Sequence, residues 1–160
     1  MMAKREIEKL LEDLASLVGE SFTKNKYDVT EPEIGYTDPP QLPSGKMGIY
    51  MFLYEGKFLK IGKAGKNSKS RYTSQHYNPN RANSTLAKSL LNDPDMPTHN
   101  LSEKELEKWI KNECYRINIL IDADLGPLAL GLVEAILHYK YKPKYEGRTS
   151  LRITMPKEAK

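Results

Sequence analysis

Six side chains have types suited to phosphodiester chemistry, and five of them fall within one span. Tyr50, Lys60, Lys63, Arg71 and His76 lie between Met47 and Tyr77, while Glu134 comes much later. The planar fork of Arg71 can meet two phosphate oxygens and steady charge that builds during attack at phosphorus. The Tyr50 phenol can orient a water, but it deprotonates one only where a cationic neighbour lowers its pKa. Lys60 and Lys63 are candidates for that field, and His76 for a proton shuttle. Glu134 is the only ionisable residue between Pro127 and Leu137. A carboxylate in so apolar a helix is costly unless paired or bound to a cation. A lone carboxylate suits a hard ion such as Mg2+ (or Mn2+), which keeps most of its waters and takes phosphate oxygens. One Cys and 3 scattered His give no zinc-like spacing. Each residue also has an ordinary reading: an ion pair for Glu134, a half-core strand position for Tyr50, and surface positions for Arg71 and His76.

The charge pattern supports an acidic partner. The formal net charge is only +4, but no Asp or Glu occurs from Gly56 to Leu91, where Lys63, Lys66, Lys69, Arg71, Arg81 and Lys88 all fall. A field of one sign suits a polyanion, and these positions are candidate nucleic-acid contacts. The single cysteine, Cys114, excludes an internal disulfide and fits a reducing, cytoplasmic setting. The most apolar segment, Leu125 to Leu137, is too short to span a bilayer, so no membrane partner is expected.

The elements that must position these groups follow from periodicity. Ile7, Leu10, Leu11, Leu14, Leu17 and Val18 recur at helical spacing within residues 3–18, and Gly19 stops the run. That stripe must pack on the core or on a second copy of the chain. Prolines and glycines from residue 20 to 46 then read as an extended arm along the surface. Met47 to Tyr54 and Phe58 to Gly62 form a hairpin. A three-residue loop, Tyr54-Glu55-Gly56, would pair Tyr50 directly with Lys60, and this register is expected because it brings both to one site. Residues 68–77 read as a polar helix, and 85–91 as a short one capped by Asn83 or Ser84. Ser102 and Glu105 make a capping box for a helix over 103–112. A third strand covers Tyr115 to Ile121. Pro127 opens a helix running to about Tyr141. Leu151, Ile153 and Met155 alternate as a possible edge strand.

Gly48-Ile49-Tyr50, then Lys60-Ile61-Gly62, then Lys63-Ala64 and Arg71, in that order, resemble the motifs of the GIY-YIG nuclease superfamily. Asn83-Ser84-Thr85-Leu86 opening a helix and a late helix bearing Glu134 add to the likeness, which covers roughly residues 46–147. The segment Ser74 to Pro79 further resembles small bacterial and phage members. The resemblance implies an α+β core with a small three-stranded antiparallel sheet flanked by helices, and single-metal hydrolysis of DNA. It implies that Tyr50 helps activate water, Arg71 steadies the transition state and Glu134 holds the metal. The chain departs from the pattern at Lys60, where the family usually has tyrosine; one helical turn after Arg71, where the family often has a polar residue, stands Gln75, with His76 one further on.

The resulting expectation is a metal-dependent DNA endonuclease. Residues 1–45 form the N-terminal helix and arm, 46–147 the core, and 148–160 a basic tail. Two alternatives stand: a nucleic-acid-binding module that has lost cleavage, and a scaffold that self-associates through its first helix.

Overall fold

The computed structural model describes residues 2–19, 22–82 and 85–145. Its architecture is α+β, with an antiparallel sheet between two helical layers. The described elements are α1 (Met2–Val18), β1 (Tyr27–Thr30), β2 (Lys46–Tyr54), β3 (Lys57–Ala64), α2 (Lys69–Thr73), α3 (Leu86–Leu91), α4 (Glu103–Glu113), β4 (Tyr115–Asp122) and α5 (Gly126–Tyr141). Short 3-10 turns span Lys24–Lys26, Gln75–Tyr77 and Ala123–Leu125. No described helix is long and apolar enough to cross a membrane.

The sheet has four strands in the order β1-β4-β2-β3, which corrects the expected three. The added strand comes from the arm: Tyr27–Thr30 pairs with Ile121 to Asn118 of β4. Val29 turns inward, and Phe22 stacks on Tyr27 at 5.3 Å between ring centroids. Four residues among prolines are too few for a period-2 signal, so tertiary pairing defines this strand.

Both sheet faces are covered. Ile49, Met51, Ile61, Ile117 and Ile119 pack against α1 and α5 through Ile7, Leu11, Leu14, Leu130, Val133 and Leu137. The opposite face carries Tyr50, Phe52 and Ala64 against Tyr72, Tyr77, Leu86, Leu90, Leu106 and Ile110. The apolar stripe of α1 therefore closes the core of its own chain.

The hairpin register differs from the expected one. Glu55 and Gly56 have φ values of 48° and 75°, so a two-residue turn of the I′ kind joins the strands. Leu53 then faces Phe58, but Phe52 faces Lys60, so Leu59 is an extra residue in β3. This bulge shifts the ladder, and Tyr50 pairs with Gly62 rather than with Lys60. Lys60 still shares the Tyr50 face, by way of the bulge and not the loop. The N–H groups of Lys144 and Tyr145 donate to the carbonyls of Phe58 and Leu59, covering the sheet edge there.

Local chemistry sets the remaining ends. Ser102 and Glu105 form the reciprocal capping box, and Cys114 is buried as a packing residue. The cap of α3 is Thr85, whose hydroxyl accepts from the Lys88 N–H, in place of the expected Asn83 or Ser84. The single polar helix expected over 68–77 divides into α2 and the 3-10 turn at Gln75–Tyr77. The tail at 148–160, with its expected edge strand, lies outside the described residues.

Candidate active site

Tyr50 occupies the middle of β2, between β3 and β4, and is buried. Its ring lies over Gly62. A Cβ built on Gly62 would sit 2.3 Å from the Tyr50 hydroxyl oxygen, closer than real atoms approach. Gly48 has the same relationship to Tyr72, whose ring would lie 2.5 Å from an added Cβ. The glycines of the two motif triplets thus make room for two tyrosine rings.

His76 fixes the Tyr50 oxygen. The turn after α2 carries this ring into the core, where it is 2 % exposed. The backbone N–H of Leu86 donates to Nδ1 at 3.2 Å, and Nε2 lies 2.7 Å from the Tyr50 hydroxyl. A backbone N–H can only donate, so Nδ1 is the bare nitrogen and Nε2 carries the proton. His76 therefore donates to Tyr50, and the phenolic proton is directed elsewhere. Burial, then Lys60, Arg116 and Arg71, pull the imidazole pKa down to about 2. With both ring nitrogens engaged and the ring held neutral, the shuttle role expected for His76 gives way to that of a fixed donor.

Burial pushes the Tyr50 phenol up to about 12. Arg71 acts against this shift, Glu134 adds to it, and Arg116 again opposes it. Arg71, exposed on α2, and Glu134, on α5, thus act on the same hydroxyl electrostatically from two different helices. The arrangement solvates a phenolate with N–H groups and guanidinium charge while leaving the phenol protonated at neutral pH.

Glu134 is part-buried, with a side chain 22 % exposed. Its Oε1 lies 3.4 Å from the Lys63 ammonium, and its Oε2 3.9 Å from His138 Nε2. Gly131, one turn earlier, leaves space in which an added Cβ would meet only Lys63 Nζ, at 3.8 Å. The ammonium stands where a cation is wanted, so a solvated, singly ligated ion fits this carboxylate. Among the described residues no group of three or more His, Cys, Asp or Glu could cage a metal.

The two candidate lysines of β3, Lys60 and Lys63, separate. Lys60 is buried on the Tyr50 face, opposite Phe52, and contributes to the field on His76. Lys63 is exposed, on the Glu134 side. Lys66, Lys69, Arg81 and Lys88 are exposed as well. Lys66 also borders a cavity with Asp122 and Asp124, which tempers its positive field.

Arg116 was not singled out by its sequence position. It lies on β4 beside Phe52, is 1 % exposed, and has no carboxylate partner among the described residues. Its Nε donates to Asn118 Oδ1 at 2.8 Å, one terminal nitrogen to the Tyr77 hydroxyl at 3.0 Å, and the other to the Tyr72 carbonyl. Asn118 faces Tyr50 across the strand pair, and its Nδ2 has no hydrogen-bond partner among the described residues. The available signal was polar residues at 116 and 118 in an otherwise apolar strand, but alternation does not reveal that helices cover that face. Comparison with family models, curated proteins and solved structures returned no match for this chain.

Proposed function

We propose that this chain is a metal-dependent DNA endonuclease that hydrolyses phosphodiester bonds with an activated water. The observation that carries the reading is the Tyr50 hydroxyl, 2.7 Å from the Nε2 of a neutral His76 donor and within the fields of both Arg71 and Glu134. The strand carrying Tyr50 opens onto a segment without acidic residues, from Gly56 to Leu91. A phosphate backbone entering there meets Lys63, Lys69 and Arg71.

Each side chain then has one task. Tyr50 orients the water and, as a phenolate, takes its proton. His76 donates to the Tyr50 oxygen throughout and keeps it aimed. Arg71 donates to the non-bridging oxygens as the water oxygen bonds to phosphorus and the bond to the leaving oxygen breaks. Glu134 would hold a divalent cation such as Mg2+ or Mn2+, which supplies charge neutralisation at the phosphate and the departing oxygen. A cytoplasmic setting suits the buried, unpaired Cys114.

The Lys63–Glu134 ion pair and a phenol at about 12 favour a second reading, a binding module that holds nucleic acid without cutting it. Plasmid nicking separates the two. Wild-type protein with Mg2+ converts supercoiled DNA to open circles, whereas Glu134→Ala does not. Equal rates for both proteins would show that Glu134 holds no catalytic ion. Salt-sensitive DNA retention with no nicking at any metal concentration would establish the binding module.

A further inference from the structure

The region behind Tyr50 holds a group that none of these roles uses. Arg116 is a buried guanidinium whose hydrogen bonds go to neutral acceptors: an amide, a phenol and a carbonyl. Its central carbon lies 5.9, 5.3 and 4.9 Å from the ring centroids of Tyr50, Phe52 and Tyr72. Burying a cation is costly when, as among the described residues here, no carboxylate pairs with it. A neutral residue of similar length could pack against the same rings at lower cost, so the charge calls for an explanation beyond packing.

We propose that Arg116 is a positioning residue for the Tyr50 site, a fixed cation that adds to burial and Lys60 in keeping His76 a neutral donor and stabilises negative charge developing on the Tyr50 oxygen. The guanidinium lies among the rings of both motif tyrosine pockets, and its bonds to Tyr72 and Tyr77 bracket His76 in the chain. A proton on Nδ1 of His76 would lose the Leu86 N–H bond and add a second cation to the same pocket. Charge on the Tyr50 oxygen, in contrast, gains from Arg116 without movement of the protein. The other charged or titratable groups acting on Tyr50 are Arg71 from α2 and Glu134 from α5 by their fields, with Tyr72 and His76 in ring contact; Lys60 of β3 acts on His76.

This inference rests on the nuclease reading for its catalytic consequence, but not for the state of His76. Arg116 lies 5.9 Å from the Tyr50 ring centroid; a unit charge at ~6 Å, in an effective dielectric of ~20, changes a phenolate population by roughly a hundredfold. Arg116→Met keeps length and ring packing but removes the charge. It is expected to slow nicking about ten- to a hundredfold, by a similar factor from pH 7.5 to 9.5, because the Tyr50 phenol ionises above that range in both proteins. Arg116→Lys, which keeps the charge, is expected to stay within about tenfold of wild type. No deficit for Arg116→Met, or an equal deficit for Arg116→Met and Arg116→Lys, would overturn the proposal. If Arg116→Met does not fold, a folded Arg116→Lys that is inactive at every pH would also overturn it.

Two measurements stand apart from cleavage. Imidazole 15N spectra of the wild-type protein are expected to show His76 protonated on Nε2 only, from pH 5 to 8. An imidazolium or an Nδ1–H form in that range overturns the inference even if the protein cuts DNA. Tyrosinate absorbance after a rapid pH jump, with Tyr50→Phe as the subtraction, is expected to show Tyr50 ionising at higher pH in Arg116→Met. An unshifted curve overturns it. Wild-type protein that never nicks DNA would remove the nuclease reading, while both spectroscopic tests would still decide the Arg116 relationship.

Discussion

The Tyr50 hydroxyl rests against the backbone of Gly62, so closely that the smallest side chain there would occupy its space. The cross-strand pairing of these two residues sets the direction in which the phenol leaves the sheet. Gly62→Ala must therefore move Tyr50, which breaks the His76 contact and reaims the oxygen. We expect a loss of about 1–3 kcal/mol in stability from overpacking. We also expect a fall in nicking larger than that of Gly65→Ala, where an added Cβ meets nothing within 4 Å. Urea melts and plasmid nicking on the two variants check this; equal effects would mean that the close approach at Gly62 has no consequence for the site.

The pairing at Gly62 also shows how far a sequence can be read. Strand β1 exists only by pairing with β4, whereas strands β2, β3 and β4, the capping box at Ser102 and the Pro127 helix are set by chemistry within a few residues, and they were legible. The bulge at Leu59 was not. It depends on Leu59 entering the core on the Tyr50 face and on residues 144–145 bonding to its edge, contacts made across the chain. Tyr50, Arg71 and Glu134 were identifiable by type, but the neutral His76 depends on Leu86 reaching its Nδ1. Arg116 stayed hidden because a polar residue on an alternating strand looks the same whether water or a helix covers it.

The buried pair makes opposite demands on pH. The His76 pKa falls from 6.5 to about 2 on folding, so the unfolded chain binds the extra proton first. Its stabilising contribution is complete above about 6.5 and declines as pH falls below that value toward about 2. The Tyr50 pKa rises from 10.0 to about 12, so its contribution is complete below about 10 and declines as pH rises through about 12. We expect His76→Phe to flatten the acid side of a stability profile measured by urea melts, and Tyr50→Phe to flatten the alkaline side. A wild-type profile that does not decline between pH 6 and 4 would contradict a neutral His76 in the core.

Lys63 holds Glu134 at 3.4 Å and so competes with any cation for that carboxylate. Lys63→Met removes the competitor and leaves the carboxylate beside the space at Gly131. Half-saturation by Mg2+ in nicking assays at fixed DNA is expected to move several-fold lower. The same change removes a phosphate contact, so the DNA requirement moves the other way and the salt slope of binding falls by about one. A Mg2+ requirement that stays put while DNA binding weakens would mean that Lys63 serves the substrate and does not gate the carboxylate.

The first helix was open to two readings, a core element or a contact between copies, and its buried stripe gives a way to separate them. Ile7 and Leu11 are fully buried against the sheet, and Leu14 nearly so, while Leu17 is 83 % exposed on the same helix. Leu11→Ala should cost about 2–5 kcal/mol, because the neighbours of a core leucine relax only partly into the cavity. Leu17→Lys should change stability by less than about 0.5 kcal/mol, as exposed substitutions do. Removing residues 1–20 should unfold or aggregate the remainder by baring the sheet face under α1. Urea melts with sedimentation on each protein test this. A truncated chain that stays folded at full stability, or a Leu17→Lys change that alters both mass and stability, would place the partner of this helix outside its own chain.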